Sequence, residues 1–183
     1  NWGPEALFEK ADGHRAASSA ERLFVKIGTS IYSGYLARLR ERQKEDFDGL
    51  MWRAIAAVRE GRTRFRRRSG REQGNLEALR FVLIDEFQDF SPQFHALTVA
   101  LRQMNPGVRF FCVGDDWQAI NSFAGSDPRY FREFGAHFLE PSRRQLLTNY
   151  RSARSVVEAG NAVMLGLGVA GRPGETAAAG EVL

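Results

Sequence analysis

Residues 81–91 read FVLIDEFQDFS, an apolar run that ends in Asp85 and Glu86 with a third acid, Asp89, close behind. An apolar strand delivering adjacent carboxylates suits a magnesium-nucleotide site. One carboxylate holds the ion, usually through water, because Mg²⁺ gives up its hydration reluctantly. The next positions and deprotonates an attacking water. Two further runs end in polar residues: Gly114-Asp115-Asp116 after VRFFCV, and Asn149-Tyr150-Arg151 after RQLLT. Gln118 and Arg151 are then candidates to touch a terminal phosphate, with the arginine neutralising charge that develops in the transition state. Tyr150 offers a ring to stack on a base. Each run alone has a plainer reading, a core strand followed by a solvated turn; their order and common placement favour the site. A second chemistry would use Asp85, Asp89, Asp115 and Asp116 as a metal-dependent phosphohydrolase or nuclease centre. Such centres usually add His or further acids, and none stands close by in the sequence.

The elements that must position these residues are readable. Tyr32, Tyr35, Leu36 and Leu39 share one helical face, and Phe47, Leu50, Met51, Ile55 and Val58 another, with Asp46 as N-cap. Residues 1–60 therefore read as helical. Residues 59–75, REGRTRFRRRSGREQGN, lack an amphipathic period and read as a mobile basic loop. RFVLID is a short buried strand. SPQFHALTVALRQM is a helix capped by Ser91 with Pro92 in its first turn. VRFFCVGDD and RQLLTNYR are two more strands, and SARSVVEAGNAVM a closing helix. Strand and helix alternate, which predicts an α/β fold with a parallel sheet, helices on both faces, and an N-terminal helical subdomain. In such a sheet ligands bind outside the carboxyl ends of the strands, where all three polar tips are expected to meet.

Bulk properties narrow the classes. The 183 residues suffice for one domain or one and a half. No apolar run has the length of a membrane span, and Asn1 to Arg15 does not read as a signal peptide. The single cysteine, Cys112, lies in an apolar run, so no disulfide framework or cysteine metal cluster is expected, and a reducing, cytoplasmic setting is. His14, His95 and His137 have no ligand spacing. The net charge of +4 is uneven: residues 1–80 carry +6 and residues 81–183 carry −2. Arg outnumbers Lys 23 to 3. Seven arginines fall in 59–71, among them Arg66, Arg67 and Arg68, and read either as phosphate contacts to duplex or single-stranded nucleic acid or as a solvated loop.

LIDEFQDFS, VGDDWQAINSFAGSD and LTNYRS, in this order, resemble motifs II, III and IV of the UvrD/Rep group of superfamily 1 DNA helicases, and VGDDWQAI most resembles the bacterial DNA helicase IV branch. EDFDGLM at 45–51 resembles the acidic-Phe element upstream of motif II. The resemblance covers about residues 45–165. It implies a partial RecA-like sheet of the P-loop NTPase type, ATP and Mg²⁺ as cofactors, and an ATP-driven helicase or translocase moving on single-stranded DNA. Asp85 would be the magnesium carboxylate and Glu86 the base. Gln88 and Asp89 would complete the Asp-Glu-x-Gln-Asp box and link it to neighbouring motifs. Gln118 would sense the γ-phosphate, Tyr150 would stack on adenine and Arg151 would reach the γ-phosphate. Phe123 and Trp117 would lie in the loop joining the ATP site to DNA, with core packing as the other reading of Trp117. Relatives commonly carry Tyr-Arg where this chain has Asn121-Ser122, which removes one aromatic and one cation near the implied DNA path.

The loop G-x-x-x-x-G-K-[ST] occurs nowhere in the sequence, nor does any Gly-Lys pair. The resemblance implies that this loop precedes Asn1 and that a second motor domain follows Leu183. The expectation is thus a piece of a larger helicase: a helical subdomain with basic loop over 1–75, a partial motor domain over 76–165, and a linker over 166–183. Its partners would be DNA, ATP and the rest of its own polypeptide, with no membrane. The piece alone would be inactive. The alternative is a non-catalytic nucleic-acid or protein binding module derived from a helicase.

Overall fold

The computed structural model describes residues 4–138 and 140–180. The expected helical start at 1–3 and the last three residues of the expected linker, 181–183, lie outside the described residues. The chain divides into two compact units, residues 1–138 and 139–183.

The first unit opens with α1 (Pro4–Asp12), α2 (Ser19–Glu41) and α3 (Phe47–Arg59). Ser18 caps α2 by accepting from the Glu21 N–H, and Asp46 caps α3 by accepting from the Gly49 N–H at 2.8 Å. The second oxygen of Asp46 accepts from the Tyr35 hydroxyl at 2.9 Å, so one carboxylate both starts α3 and ties α2 to it. α2 buries none of its residues. α3 turns Ile55 and Val58 inward, where they meet Ala100 and Leu101 of α4 (Pro92–Met104), with Val82 and Phe110 from the strands beneath. Ser91 caps α4 through the Phe94 N–H, and Pro92 sits at its first position, where a missing donor costs nothing.

Between α3 and the first core strand the expected loop is instead a hairpin. β1 (Arg64–Arg66) pairs antiparallel with β2 (Glu72–Asn75). Every β1 side chain is exposed, so no apolar alternation marks the strand in the sequence.

β3 (Phe81–Ile84) and β4 (Arg109–Cys112) form a parallel pair in register Phe81↔Arg109 to Ile84↔Cys112. Val82, Ile84, Phe110 and Cys112 face the helices. Phe81, Leu83 and Phe111 face the other way, and Leu83 is 74% exposed. The expectation of helices on both faces is corrected here: within the first unit one face is covered. The polypeptide supplies α3 and α4 to that side alone, and alternation along each strand leaves the apolar residues of the other side open.

A second core lies under the carboxyl ends of these strands. Phe87, Phe90 and Phe138 are buried, with Phe131 of α5 (Arg129–Arg132) and Phe134 of α6 (Phe134–His137) around them.

In the second unit the expected third strand forms as β5 (Thr148–Asn149), but it pairs in parallel with β6 (Arg172–Pro173), in a sheet of its own. The shared sheet of three strands is therefore corrected to a parallel pair, β3–β4, plus this separate pair. The physical reason is main-chain pairing that composition does not encode: the Arg172 N–H donates to the Leu147 carbonyl and Gly174 N–H to that of Asn149. Residues 166–180 are accordingly not a free linker. They fold against α7 (Arg154–Val163), where Asn161 exchanges two hydrogen bonds with Gly171.

Candidate functional site

The parallel pairing continues past the strand ends. Val113 donates to the Ile84 carbonyl and Phe87 to that of Val113, so the two acidic tips are held side by side by backbone. Glu86 sits between β3 and a 3-10 turn, Phe87–Asp89, with φ +51° and ψ +42°. A left-handed backbone is unusual for a non-glycine residue and persists only where the surroundings enforce it. Phe87 and Phe90 provide that enforcement by anchoring the turn in the aromatic core, with ring centroids 4.5 Å apart.

Gln88 links the tips. It is only 2% exposed. Its amide donates to the Glu86 carboxylate at 2.6 Å, and its carbonyl accepts from the Asp115 N–H at 3.0 Å. Asp115 in turn accepts from the Trp117 N–H at 3.1 Å and from the Gln118 amide at 2.8 Å. Asp85 accepts from the Glu86 N–H at 2.9 Å. A continuous chain therefore runs Asp85–Glu86–Gln88–Asp115–Gln118. Gly114 makes the close approach possible. A Cβ there would lie 2.7 Å from Gln88 Oε1 and 2.9 Å from the Phe87 nitrogen.

Asp89 accepts from the Asn121 amide at 2.8 Å, while its other oxygen, Oδ1, is buried without a partner. Asn121 thus ties Asp89 to the loop that carries Phe123. That loop is held a second time where the Asp127 N–H donates to the Phe90 carbonyl. The Arg129 guanidinium, 2.6 Å from Asp127, keeps that carboxyl below its usual range. At the loop's tip Phe123 is 89% exposed, whereas Trp117 is half-buried.

Tyr150 and Arg151 belong to the second unit. Asn149 accepts from the N–H groups of Arg151 and Ser152, both at 2.9 Å, which turns the chain from β5 towards α7 and leaves Tyr150 85% exposed. Arg66, Arg67 and Arg68 lie on the hairpin, which joins β3 at its amino end, whereas the acids follow its carboxyl end.

Asp85, exposed at the end of β3, fits Mg²⁺, which takes one or two carboxylates and completes its shell with water and phosphate oxygens. The acids do not fit a dinuclear nuclease centre. Asp89 and Asp115 are turned to Asn121 and Gln118, and among the described residues no three His, Cys, Asp or Glu are grouped as metal ligands. Cys112 is a core residue whose thiol burial pushes up to about 11, which keeps it protonated and inert.

Sequence reasoning named the acids and, through the resemblance, expected Gln88 and Asp89 to link neighbouring motifs; it did not say which groups they hold, Asp115 and Asn121. Gly114 before a double acid at a strand end was the available signal for close approach; Asn121 offered none.

Two parallel strands whose adjoining tips present Asp-Glu and Gly-Asp-Asp, tied by a buried glutamine, place the chain among α/β proteins with an acidic strand-end site. The family model for the UvrD/REP helicase N-terminal domain matches residues 5–139, and the chain belongs to that family. It is 34% identical to DNA helicase IV of Escherichia coli K12 over 137 residues, which is 75% of this chain and 18% of that protein. It is 30% identical over 146 residues to the ATP-dependent DNA helicase UvrD1 of Mycobacterium tuberculosis, covering 74% of this chain and 17% of the relative. A putative ATP-dependent DNA helicase of Bacillus subtilis, YjcD, matches over 84 residues at 34%, covering 46% of this chain and 11% of the relative. The chain spans less than a fifth of the length of these relatives.

Proposed function

We propose that the chain is part of the first motor domain of an ATP-dependent DNA helicase that couples ATP hydrolysis to movement on single-stranded DNA. In this reading β3 and β4 are two strands of a RecA-like sheet, residues 76–165 carry the motor motifs, and the protein works in the cytoplasm. The observation that supports it is the hydrogen-bond chain from Glu86 through Gln88 and Asp115 to Gln118. It gives the base, the phosphate sensor and the DNA loop one mechanical frame, which a decayed binding module has no need to keep.

Asp85 would hold Mg²⁺ through water, and the ion would neutralise phosphate charge. Glu86, steadied by the Gln88 amide, would orient the attacking water and accept its proton. The Gln118 amide, now donating to Asp115, would exchange that partner for the terminal phosphate and so carry the nucleotide's state to the loop ahead of it. Arg151 would approach the same phosphate and Tyr150 would stack on adenine. Phe123 would stack on a DNA base, a contact worth about 1–3 kcal/mol that ignores sequence and so suits a translocase. Trp117 would brace the loop, and Arg66, Arg67 and Arg68 would contact phosphates.

The test uses the full-length protein. Glu86→Gln should lower single-strand-stimulated ATP turnover by about 10²–10⁴-fold, the usual worth of a general base, and leave nucleotide binding intact. Turnover within tenfold of the parent would overturn the assignment. The 183-residue chain, which contains no phosphate-cradling loop, should hydrolyse no ATP by itself.

A further inference from the structure

The β1–β2 hairpin is built as a projecting cationic ribbon. Its four-residue turn is closed by Gly70 N–H to the Arg67 carbonyl and Arg67 N–H to that of Arg71, with Gly70 at φ +80°. Its base is clamped. Thr63 is buried and donates to Glu77 at 3.0 Å, and Leu76 N–H donates to the Thr63 carbonyl. At the end of α4, Asn105 donates to the carbonyls of Glu77 and Leu79 at 3.1 and 2.7 Å. The ribbon is thus anchored in the same core that holds β3 and β4.

Arg64, Arg66, Arg67, Arg68 and Arg71 are all exposed, and among the described residues no ion pair engages them, whereas Arg62 is paired with Glu60. Exposed Arg80, just before β3, and Arg109, the first residue of β4, lie at the same end, where the Arg109 N–H donates to the Arg80 carbonyl. The acidic tips stand at the other end, roughly 13 Å along four strand residues, beyond one Debye length of about 10 Å at 0.1 M salt. The two fields therefore do not cancel.

We propose that this hairpin is a docking arm for duplex DNA, contacting its phosphates independently of the nucleotide site. The choice of duplex over single strand rests on geometry. A two-stranded ribbon matches the width of a B-DNA major groove. Single-strand sites pair cations with exposed aromatic platforms. Here the one aromatic of the ribbon, Phe65, packs one side of its ring over Gly74, where a Cβ would come within 2.7 Å, and stays 47% exposed, but alternation along β1 sends Arg64 and Arg66 to the opposite face, so ring and cations do not share one surface. The proposal rests on the DNA-binding half of the reading above and not on hydrolysis.

The 183-residue chain is titrated without nucleotide or Mg²⁺ against a fluorescent 20-base-pair duplex and against one of its strands, across a KCl series. Five phosphate contacts give a log–log salt slope near −4.5 and about a 500-fold loss of affinity between 50 and 200 mM. Replacing all five arginines by serine should abolish that slope, and replacing them by lysine should keep it. Arg67→Glu with Arg68→Glu changes only the turn and should lower the slope by about 2 and duplex affinity at least tenfold. Unchanged duplex affinity and slope in the glutamate pair, or tighter binding of the single strand by the parent chain, overturns the proposal. Loss of ATP turnover in Glu86→Gln with intact duplex binding would leave it standing.

Discussion

Gln88→Glu is the sharpest probe of the joint between the two strand tips. The substitution keeps size and shape, and the new carboxylate still accepts from the Asp115 N–H. What changes is the other end, where an amide now donates to Glu86 at 2.6 Å. Two ionised carboxylates at that separation repel by about 6 kcal/mol at an effective dielectric near 20. The pair escapes by binding a proton, and a protonated oxygen restores the lost donor. The loss is then capped by the cost of protonating a glutamic acid, about 4 kcal/mol at pH 7.5 and about 1 at pH 5. Glu86 is exposed, so solvent screening should roughly halve both figures. The folded pair has a raised pKa relative to the unfolded chain, so the variant matches its parent at low pH and loses stability as pH climbs above the normal glutamic range. Urea unfolding of parent and variant at pH 5 and 7.5 measures this. A deficit near 2 kcal/mol at the higher pH that falls below about 0.5 at the lower is expected. Equal deficits at both pH values would refute a direct Gln88–Glu86 bond.

Gly114→Ala should destabilise by about 1–3 kcal/mol in the same assay, because the methyl meets backbone atoms of Phe87 and Gln88 that are fixed by the strand pairing; a neutral result would mean that the tips are not in close approach. His95 should make stability pH-dependent. Burial lowers its pKa, helped by His137 and Arg102, and its ring stacks on Tyr130 at 4.8 Å with His137 edge-on at 5.2 Å. A depressed folded pKa means stability that is full above about pH 6.5 and falls as pH drops towards the folded value. His95→Phe, which keeps a ring on Tyr130, should flatten the urea midpoint between pH 7 and 5, and an unchanged slope would refute the assignment.

The parts of this protein that declare themselves in one dimension are those governed by local physics. Asp46 and Ser91-Pro92 marked helix starts because capping needs only a side-chain acceptor three residues from an unpaired N–H. FVLI and RFFC announced strands, though only one face of each is packed and not both as a buried strand would have, and the acids beyond them announced the candidate site, because chain direction alone carries a strand's polar tip to one edge. The hairpin stayed hidden. Every β1 side chain is exposed, so no apolar alternation exists there to be read, and its pairing with β2 is through the main chain. The same holds for β6, whose partner β5 lies more than twenty residues back in a stretch that composition marks only as flexible. Nor does anything local say that Gln88 is buried, that Gly114 must be glycine, or that Asn121 reaches Asp89. Those facts depend on two loops, about thirty residues apart, being pressed together by the parallel pairing of β3 with β4 and by the aromatic core under Phe87. Residue types named the chemistry; contact between distant segments set which group holds which.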